Sequence, residues 1–332
     1  MSNKALIKAT SLNRFYGQYH AVDDFNLTLH QGEVLGLLGP NGAGKSTTMQ
    51  MLTGNISPSS GDIIINGIDL IEEPQQAKQS IGYLPEQPPV YRDMTPQEFL
   101  GYCALLHKIP KEKIAPYLVS VVERCGLADV KNKLIGNLSK GFQQRVGIAQ
   151  AIIHKPDVVI LDEPTVGLDP IQITQIRDLI RELGKDHSVI LSTHILPEVQ
   201  AVCDRVLIIN QGKTVFADDF SQLSEKQESN KIVVGFKSKI EGKALKKLST
   251  LDAVVEVITL DEESNRFQLR YSQSPKPSEV FQLAVQQGWE LTELRSESET
   301  LEQIFMKLIH SDSHENLINE NESKMLKTGG GV

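Results

Sequence analysis

The chain has 332 residues, of which 40% are hydrophobic, and this length predicts two domains with packed cores. Its 42 acidic and 34 basic residues give a formal net charge of −8 without a long basic stripe, so we expect no nucleic-acid partner. The 3 cysteines are widely spaced and form no metal-binding pattern, which indicates reduced thiols of a cytosolic protein. No apolar run is long enough to span a membrane.

The first predicted elements in chain order are strands. Residues 4–30 have the pattern of two strands, and Phe25, Leu27 and Leu29 alternate with polar neighbours, which indicates a half-buried sheet. Residues 34–38 are short and apolar, as expected of a buried parallel strand. These patterns predict that the chain begins with β structure.

A glycine-rich loop follows, and residues 39–46 match the phosphate-binding pattern G-x-x-x-x-G-K-[ST]. The glycines let the backbone wrap phosphate groups, and the N–H groups of the loop and of the following helix point at the anion. Lys45 can reach the β- and γ-phosphates, and the Ser46 hydroxyl can ligate Mg²⁺. The predicted nucleotide-binding residues are those of this segment and the one that follows it: Gly39, Pro40, Asn41, Gly42, Ala43, Gly44, Lys45, Ser46 and Thr47.

A helical pattern covers residues 95–155. It begins at Thr95-Pro96-Gln97-Glu98, which is a capping box with proline at the first helical position. Ser139 has the residue type of an N-cap, so a helix that begins there has an N-terminus suited to an anion. An ordinary capped helix is the alternative interpretation.

Two adjacent carboxylates end the next apolar strand, at Asp162 and Glu163. If this strand lies beside the phosphate loop, Asp162 lies at the magnesium ion and Glu163 lies next to the γ-phosphate, where an attacking water must sit. A buried strand with a solvated acidic end is the alternative. A helical pattern at 173–183 is followed by apolar segments at 189–192 and 206–209, and strands that alternate with helices predict a mainly parallel sheet.

A second pattern begins after the polar linker at 222–230. Its order, strand-helix-strand-strand-helix-strand, predicts a small ferredoxin-like unit, and a helix with an apolar stripe follows at 301–308. Both a ligand-binding regulator and a dimerising or spacing module remain open for this unit. The polar tail at 311–332 is expected to be disordered.

Several segments resemble motifs of the ATP-binding subunits of ABC transporters, in family order over about residues 4–220. Tyr16 resembles the aromatic that stacks on adenine, and Tyr83–Gln87 resembles the glutamine-bearing loop. Leu138–Phe142 resembles the LSGGQ signature. Gly167–Asp169 resembles the loop after the Walker B strand, and Ser192–His194 resembles the histidine switch. We therefore identify the chain as a member of this family.

The resemblance implies an α/β fold. Residues 1–222 would form a P-loop NTPase nucleotide-binding domain with a RecA-like core, an antiparallel β subdomain and a helical subdomain. Residues 231–310 would form the ferredoxin-like α+β accessory domain. ATP and Mg²⁺ are the implied cofactors, with Ser46 and Asp162 among the metal ligands. The enzyme would be an ATPase.

The resemblance also assigns roles around the nucleotide. Glu163 would be the general base or water positioner, and His194 would contact the γ-phosphate. In a nucleotide-driven head-to-tail homodimer, Asp169 would organise the dimer seam. Each ATP would also meet the signature of the other subunit, which comprises Leu138, Ser139, Lys140, Gly141 and Phe142.

This sequence departs from the family pattern at two places. Glu86 follows the proline where many relatives have glutamine, and Gln87 comes next, so either residue is a candidate metal ligand and sensor. The signature has Lys140 and Phe142 in place of a glycine and a glutamine. This LSKG form resembles the ABC-2 export branch, which includes gliding-motility and drug- or antibiotic-export ATPases.

As a transporter component, the chain would power transport, with export favoured, through a membrane permease supplied by another chain. It would be cytoplasmic and peripheral, at the cytoplasmic face of the inner membrane. The alternatives are a soluble ABC ATPase that acts as a non-transport interaction protein and the ATPase of an importer. One phosphate loop, with no long coiled coil, argues against the translation and repair types.

Overall fold

The computed structural model describes residues 4–219, 222, 230–238, 242–261, 265–273, 275–297, 301–307 and 309. The described residues up to 219, with residue 309, form one compact unit, and those from 222 to 307 form a second. The predicted tail and most of the predicted linker lie outside the described residues. Within the described parts of the chain, every helix is too short or too polar to cross a bilayer.

A six-stranded sheet, parallel except for one edge strand, forms the centre of the first unit. Its strands, in order across the sheet, are β10 (Lys213–Asp219), β9 (Arg205–Asn210), β3 (Val34–Leu38), β8 (Ser188–Thr193), β7 (Val158–Asp162) and β6 (Ile81–Leu84). All side chains of β3, β7 and β8 are buried, as expected of parallel strands covered on both faces. The predicted mainly parallel sheet is confirmed.

A second, antiparallel sheet is built from the N-terminal strands. Its order is β2 (Tyr19–His30), β1 (Ala5–Tyr16), β4 (Ser60–Ile65) and β5 (Ile68–Asp69). The predicted alternation is confirmed, since Phe25, Leu27 and Leu29 are buried. These side chains share one core with Leu35 of β3 and Ile160 of β7, so the two sheets pack together.

The helices of the first unit frame these sheets. The described α-helices are α1 (Lys45–Leu52), α2 (Pro74–Ala77), α3 (Pro96–Leu106), α4 (Lys111–Arg124), α5 (Lys140–Ile152), α6 (Pro170–Leu183) and α7 (Leu196–Val202), and short 3-10 helices cover Lys78–Ser80 and Ile135–Asn137. The predicted capping box at the start of α3 is present. Thr95 Oγ1 accepts from the Glu98 N–H at 3.3 Å, and the Thr95 N–H donates to Glu98 Oε2 at 2.8 Å.

The second unit has the predicted element order. Its elements are β11 (Lys231–Phe236), α8 (Gly242–Leu248), β12 (Val254–Asp261), β13 (Arg266–Tyr271), α9 (Pro277–Gln287) and β14 (Leu291–Ser296), and residues 301–307 form α10. The strands pair antiparallel in the order β12-β13-β11-β14. This is the strand order of a ferredoxin-like sheet, and the prediction is confirmed. Ile232, Val234 and Phe236 form its core with Val280 and Ala284 of α9.

Helix α7 was not predicted from the sequence. Its buried residues Leu196, Val199 and Val202 recur every three positions, but this window is too short to establish a helical period. The helix packs closely on β3, since a Cβ atom placed on Gly36 would lie 2.3 Å from Val199 Cγ1. Glycine at position 36 therefore lets this helix approach the central sheet.

We expect Gly36→Ala to lower the free energy of unfolding by about 1–3 kcal/mol, as over-packing usually does, because the added methyl group collides with Val199. Adding Val199→Ala should recover part of the loss. The measurement is chemical denaturation followed by circular dichroism. Gly101→Ala in α3 is the control, since its Cβ would meet only Leu118 Cδ1 at 3.9 Å and alanine favours helix. A Gly36→Ala protein as stable as the wild type would contradict the prediction.

Candidate functional site

The phosphate loop connects β3 to α1, as predicted. Gly44 is the residue before α1 and has a left-handed φ of 106°. A side chain there would be strained, and a Cβ would lie 2.6 Å from the Ala21 carbonyl oxygen. Glycine is therefore needed at this position, where the loop turns into the N-terminus of α1.

Lys45 lies at the centre of this loop and is 6% exposed. Its Nζ donates to the carbonyl oxygens of Gly39, at 2.9 Å, and Pro40, at 3.2 Å, and lies 3.7 Å from Glu163 Oε1. Burial lowers the pKa of Lys45, while the carboxylates of Glu163 and Asp162 act in the opposite direction. The ammonium group is thus held between the loop and two acidic side chains.

Asp162 ends β7 and is almost fully buried. Burial raises the pKa of this carboxyl group, and the hydroxyls of Ser192 and Ser46 beside it act in the opposite direction. Even so, neither Asp162 Oδ1 nor Ser192 Oγ has a hydrogen-bond partner among the described residues. Asp162 Oδ1 is therefore a buried carboxylate oxygen without a hydrogen-bond partner, and the Ser46 hydroxyl lies beside the same carboxyl group.

This arrangement fits a magnesium ion. Mg²⁺ prefers oxygen ligands and is usually bound by one or two carboxylates together with substrate phosphates, rather than by a cage of protein groups. Among the described residues, no group of three or more His, Cys, Asp or Glu side chains could hold a metal by itself. The unpartnered oxygen of Asp162 and the Ser46 hydroxyl are suitable donors.

Glu163 follows β7 directly and has a left-handed backbone, with φ of 48°. Its N–H donates to the Ser192 carbonyl oxygen at 3.0 Å. Its side chain is 9% exposed, and both carboxylate oxygens lie 3.0 Å from Nδ1 of His194. The turn at Glu163 therefore brings the two residues predicted as catalytic into direct contact.

One cavity of about 440 Å³ joins these groups. It is lined by Tyr16, Tyr19, Ala21, Asn41, Gly42, Gly44, Lys45, Ser46, Thr47, Glu86, Glu163, Val166 and His194. Three predicted ATP-binding residues are absent from this lining and shape the loop instead. Gly39 and Pro40 accept hydrogen bonds from Lys45, and the buried Ala43 donates its N–H to the Pro40 carbonyl oxygen.

Two exposed tyrosines also line this cavity. Tyr16 is 45% exposed, and the guanidinium carbon of Arg14 lies 4.7 Å from the centre of its ring. Tyr19, which sequence analysis did not select, faces Tyr16 across the tight turn between β1 and β2. The β1–β2 hairpin pattern could have pointed to it, because residues paired across a turn lie close together.

The two candidate residues in the loop after β6 are both exposed, but they lie differently with respect to this cavity. Glu86 lines the cavity, and its charge acts on both Lys45 and Asp162. Gln87 is exposed and is not among the residues that line the cavity. The position directly after the proline is therefore the one that faces the phosphate loop.

The signature segment lies apart from this cavity. Ser139 is the N-cap of α5, and its Oγ accepts from the Phe142 N–H at 3.4 Å. Asp169 is the N-cap of α6, where its Oδ1 accepts from the Gln172 N–H at 2.9 Å. The residues around these caps line a second cavity of about 560 Å³: Ser139, Gly141, Phe142, Arg145, Asp169, Pro170, Ile171, Gln172 and Gln175.

The remaining signature residues lie beside the second cavity without lining it. Leu138 is buried in the core that surrounds α5. Lys140 reaches Gly167, where a Cβ atom would lie 2.2 Å from its Nζ. The two cavities have no lining residue in common, so one chain does not bring its signature to its own phosphate loop.

Comparison with known proteins gives the same family throughout. The family model described as "ABC transporter" matches residues 22–166. The chain is 33% identical to the Bacillus subtilis (strain 168) protein "Uncharacterized ABC transporter ATP-binding protein YxlF", over 92% of this chain and 100% of that one. It is 34% identical to the "Bacitracin transport ATP-binding protein BcrA" of Bacillus licheniformis, over 92% of this chain and 97% of that one.

A solved structure agrees with this fold. It is described as the structure of cbiO1 from Clostridium perfringens, part of the ABC transporter complex cbiONQ, and it aligns with a TM-score of 0.62 at 27% identity. The alignment covers 75% of this chain and 96% of that one. With the phosphate loop, the acidic strand end and near full-length relatives all in agreement, the chain belongs to the family of ABC transporter ATP-binding proteins, which bind and hydrolyse ATP.

Proposed function

We propose that this chain hydrolyses ATP to power export through a membrane permease supplied by another chain. The observation that carries the proposal is the single cavity in which the Lys45 ammonium, the Glu163 carboxylate and the His194 ring meet the N-terminus of α1. Lys45 and the N-terminus of α1 form an anion site, Glu163 is a candidate base, and His194 contacts that base, all in one cavity.

In this proposal, the loop N–H groups and Lys45 bind the phosphates, and Tyr16 stacks on adenine. Glu163 accepts a proton from the attacking water as the water displaces ADP from the γ-phosphorus. The Nδ1 atom of His194 faces Glu163, which leaves Nε2 as the nitrogen for the γ-phosphate. Ser46 and Asp162 would hold Mg²⁺, which when bound neutralises charge on the phosphate oxygens.

The separation of the two cavities supports a nucleotide-driven homodimer. Ser139 and Gly141 line a cavity that does not include the phosphate loop of the same chain. A second copy, placed head to tail, would bring its signature to the other side of the bound ATP. Asp169 shares the signature cavity and would lie at the seam. ATP would then link the two subunits, and its hydrolysis would release them.

The direction of transport and the permease are further parts of the proposal. BcrA is named as a bacitracin transport ATP-binding protein and aligns over almost its whole length, which favours the antibiotic-export type among the alternatives. In this proposal, residues 1–222 act as the ATPase domain at the cytoplasmic face of the inner membrane. Residues 231–310 form an accessory domain that dimerises or spaces the subunits.

Lys45→Ala is expected to weaken ATP binding by about 10- to 100-fold, because hydrogen bonds to charged groups contribute about 1.5–3 kcal/mol. Isothermal titration calorimetry with ATP and Mg²⁺ measures the change. Lys185→Ala removes an exposed lysine away from the cavity and serves as the control, with no expected effect. Equal affinities for Lys45→Ala and wild type would rule out the phosphate-binding role of Lys45.

Glu163→Gln should lower the rate of ATP hydrolysis by about 10²–10⁴, the usual contribution of a general base, while ATP binding is retained. The trapped ATP should then hold a dimer, which size-exclusion chromatography with ATP and Mg²⁺ detects. The control is Glu163→Gln combined with Lys45→Ala, which should remain monomeric at an ATP concentration that saturates Glu163→Gln but lies well below the Kd of the double variant. A hydrolysis rate equal to that of the wild type would contradict the catalytic role of Glu163.

Glu86→Gln should lower the Mg²⁺ concentration needed for half-maximal hydrolysis. The Glu86 carboxylate adds negative charge near Asp162 and the bound phosphates, and Mg²⁺ offsets that charge. Gln87→Ala is the matched control and should leave the magnesium requirement unchanged. Magnesium titrations of ATPase activity compare the two variants. A shift for Gln87→Ala alone would assign the role to Gln87 instead.

A further inference from the structure

Glu198 is a buried acidic residue that belongs to none of the family motifs found in the sequence. It lies in the first turn of α7 and is 1% exposed. Its Oε1 accepts a hydrogen bond from Thr165 Oγ1 at 2.6 Å, and its Oε2 accepts one from Thr193 Oγ1 at 2.7 Å. Because a buried carboxyl group is costly unless its oxygens are bonded, these two hydroxyls are its essential partners.

One of these hydrogen bonds reaches the turn that carries His194. Thr193 is the last residue of β8 and directly precedes His194. Its Oγ1 also accepts a hydrogen bond from the Ile195 N–H at 3.1 Å. The contact between Glu198 and Thr193 therefore fixes the backbone on both sides of His194.

The other hydrogen bond reaches the turn that carries Glu163. Thr165 lies two residues after Glu163, whose left-handed backbone is costly for a residue with a side chain. Such a conformation persists only where its surroundings hold it. Backbone bonds from Glu163 N to Ser192 O and from Val166 N to Glu163 O support this turn, and the bond from Thr165 to Glu198 ties it to α7.

We infer that Glu198 is a positioning residue for ATP hydrolysis, which through the hydroxyls of Thr165 and Thr193 holds Glu163 and His194 in their relative placement. The inference rests on the proposed roles of Glu163 and His194. None of Glu198, Thr165 and Thr193 lines the cavity, so they act through their neighbours and not on ATP. The competing explanation is that this cluster only stabilises the fold.

Replacing the two threonines separates these explanations. Valine keeps the shape of threonine and removes the hydroxyl, whereas serine keeps the hydroxyl and removes the methyl group. In the full-length chain, Thr165→Val and Thr193→Val should each lower kcat by about 10- to 100-fold, since small misplacements of reacting groups have effects of this size. The KM for ATP should stay within about twofold of the wild type, because the phosphate loop is untouched.

The serine variants are the matched controls. Thr165→Ser and Thr193→Ser should restore kcat to within about threefold of the wild type, although each loses a buried methyl group and some stability. Glu198→Gln, which leaves only one oxygen able to accept a hydroxyl hydrogen bond, should have a kcat between those of the valine variants and the wild type. This order would not arise if stability alone determined the rate.

Hydrogen exchange gives a second readout that does not depend on turnover. Thr193→Val removes the acceptor of the Ile195 N–H, so exchange of this amide should become faster, whereas Thr193→Ser should leave it unchanged. Thr165→Val should likewise speed exchange of the Glu163 and Val166 amides. Mass spectrometry of peptides that cover 160–168 and 190–198 measures both.

Either of two results would overturn the inference. One is a kcat within about twofold of the wild type for both valine variants. The other is unchanged amide exchange at both turns. Failure of the proposed function can be told apart from failure of this inference. A wild-type chain that does not hydrolyse ATP would refute the proposed function, and the exchange data would still decide whether Glu198 holds the two turns.

Discussion

The parallel pairing of β3, β8 and β7 determines where the chemical groups of this protein lie. In the register of these strands, Leu38 pairs with Thr193, and Asp162 pairs with Ser192. The three strands therefore end at one edge of the sheet, and the loops that leave them begin side by side. The phosphate loop, Glu163 and His194 follow these three strand ends, so segments more than a hundred residues apart form one cavity.

Charge in this cavity is arranged around a buried lysine. Burial lowers the pKa of Lys45 and raises the pKa of Asp162, so each group is placed where its charged form is costly in isolation. Their mutual attraction offsets part of that cost. Glu163 and Glu86 also favour the charged form of Lys45, whereas Glu86 raises the pKa of Asp162 further. Such a site suits ATP with bound Mg²⁺. The phosphates supply negative charge for the Lys45 ammonium, and the divalent cation offsets the negative charge of the carboxylates and phosphates.

The division of the binding groups between two cavities has a consequence for how such a subunit can work. The phosphate loop of one copy is complete as an anion site, whereas the signature segment lines a surface elsewhere on the same unit. The relatives YxlF and BcrA align over 92% of this chain, so their sequence similarity extends into the second unit. In the proposed function, closure of two copies on ATP is the step that would couple nucleotide chemistry to movement.

The sequence by itself determined the phosphate loop, the acidic end of β7, the capping box of α3 and the element order of the second unit, because these depend on local periodicity and on residue types at fixed spacing. Only the tertiary structure decided that Glu86 faces the cavity, that Tyr19 joins Tyr16, and that α7 packs against Gly36. It also revealed Glu198, whose partners come from two separate loops. These features are contacts between segments distant in the chain, and a linear pattern does not encode which distant residues become neighbours.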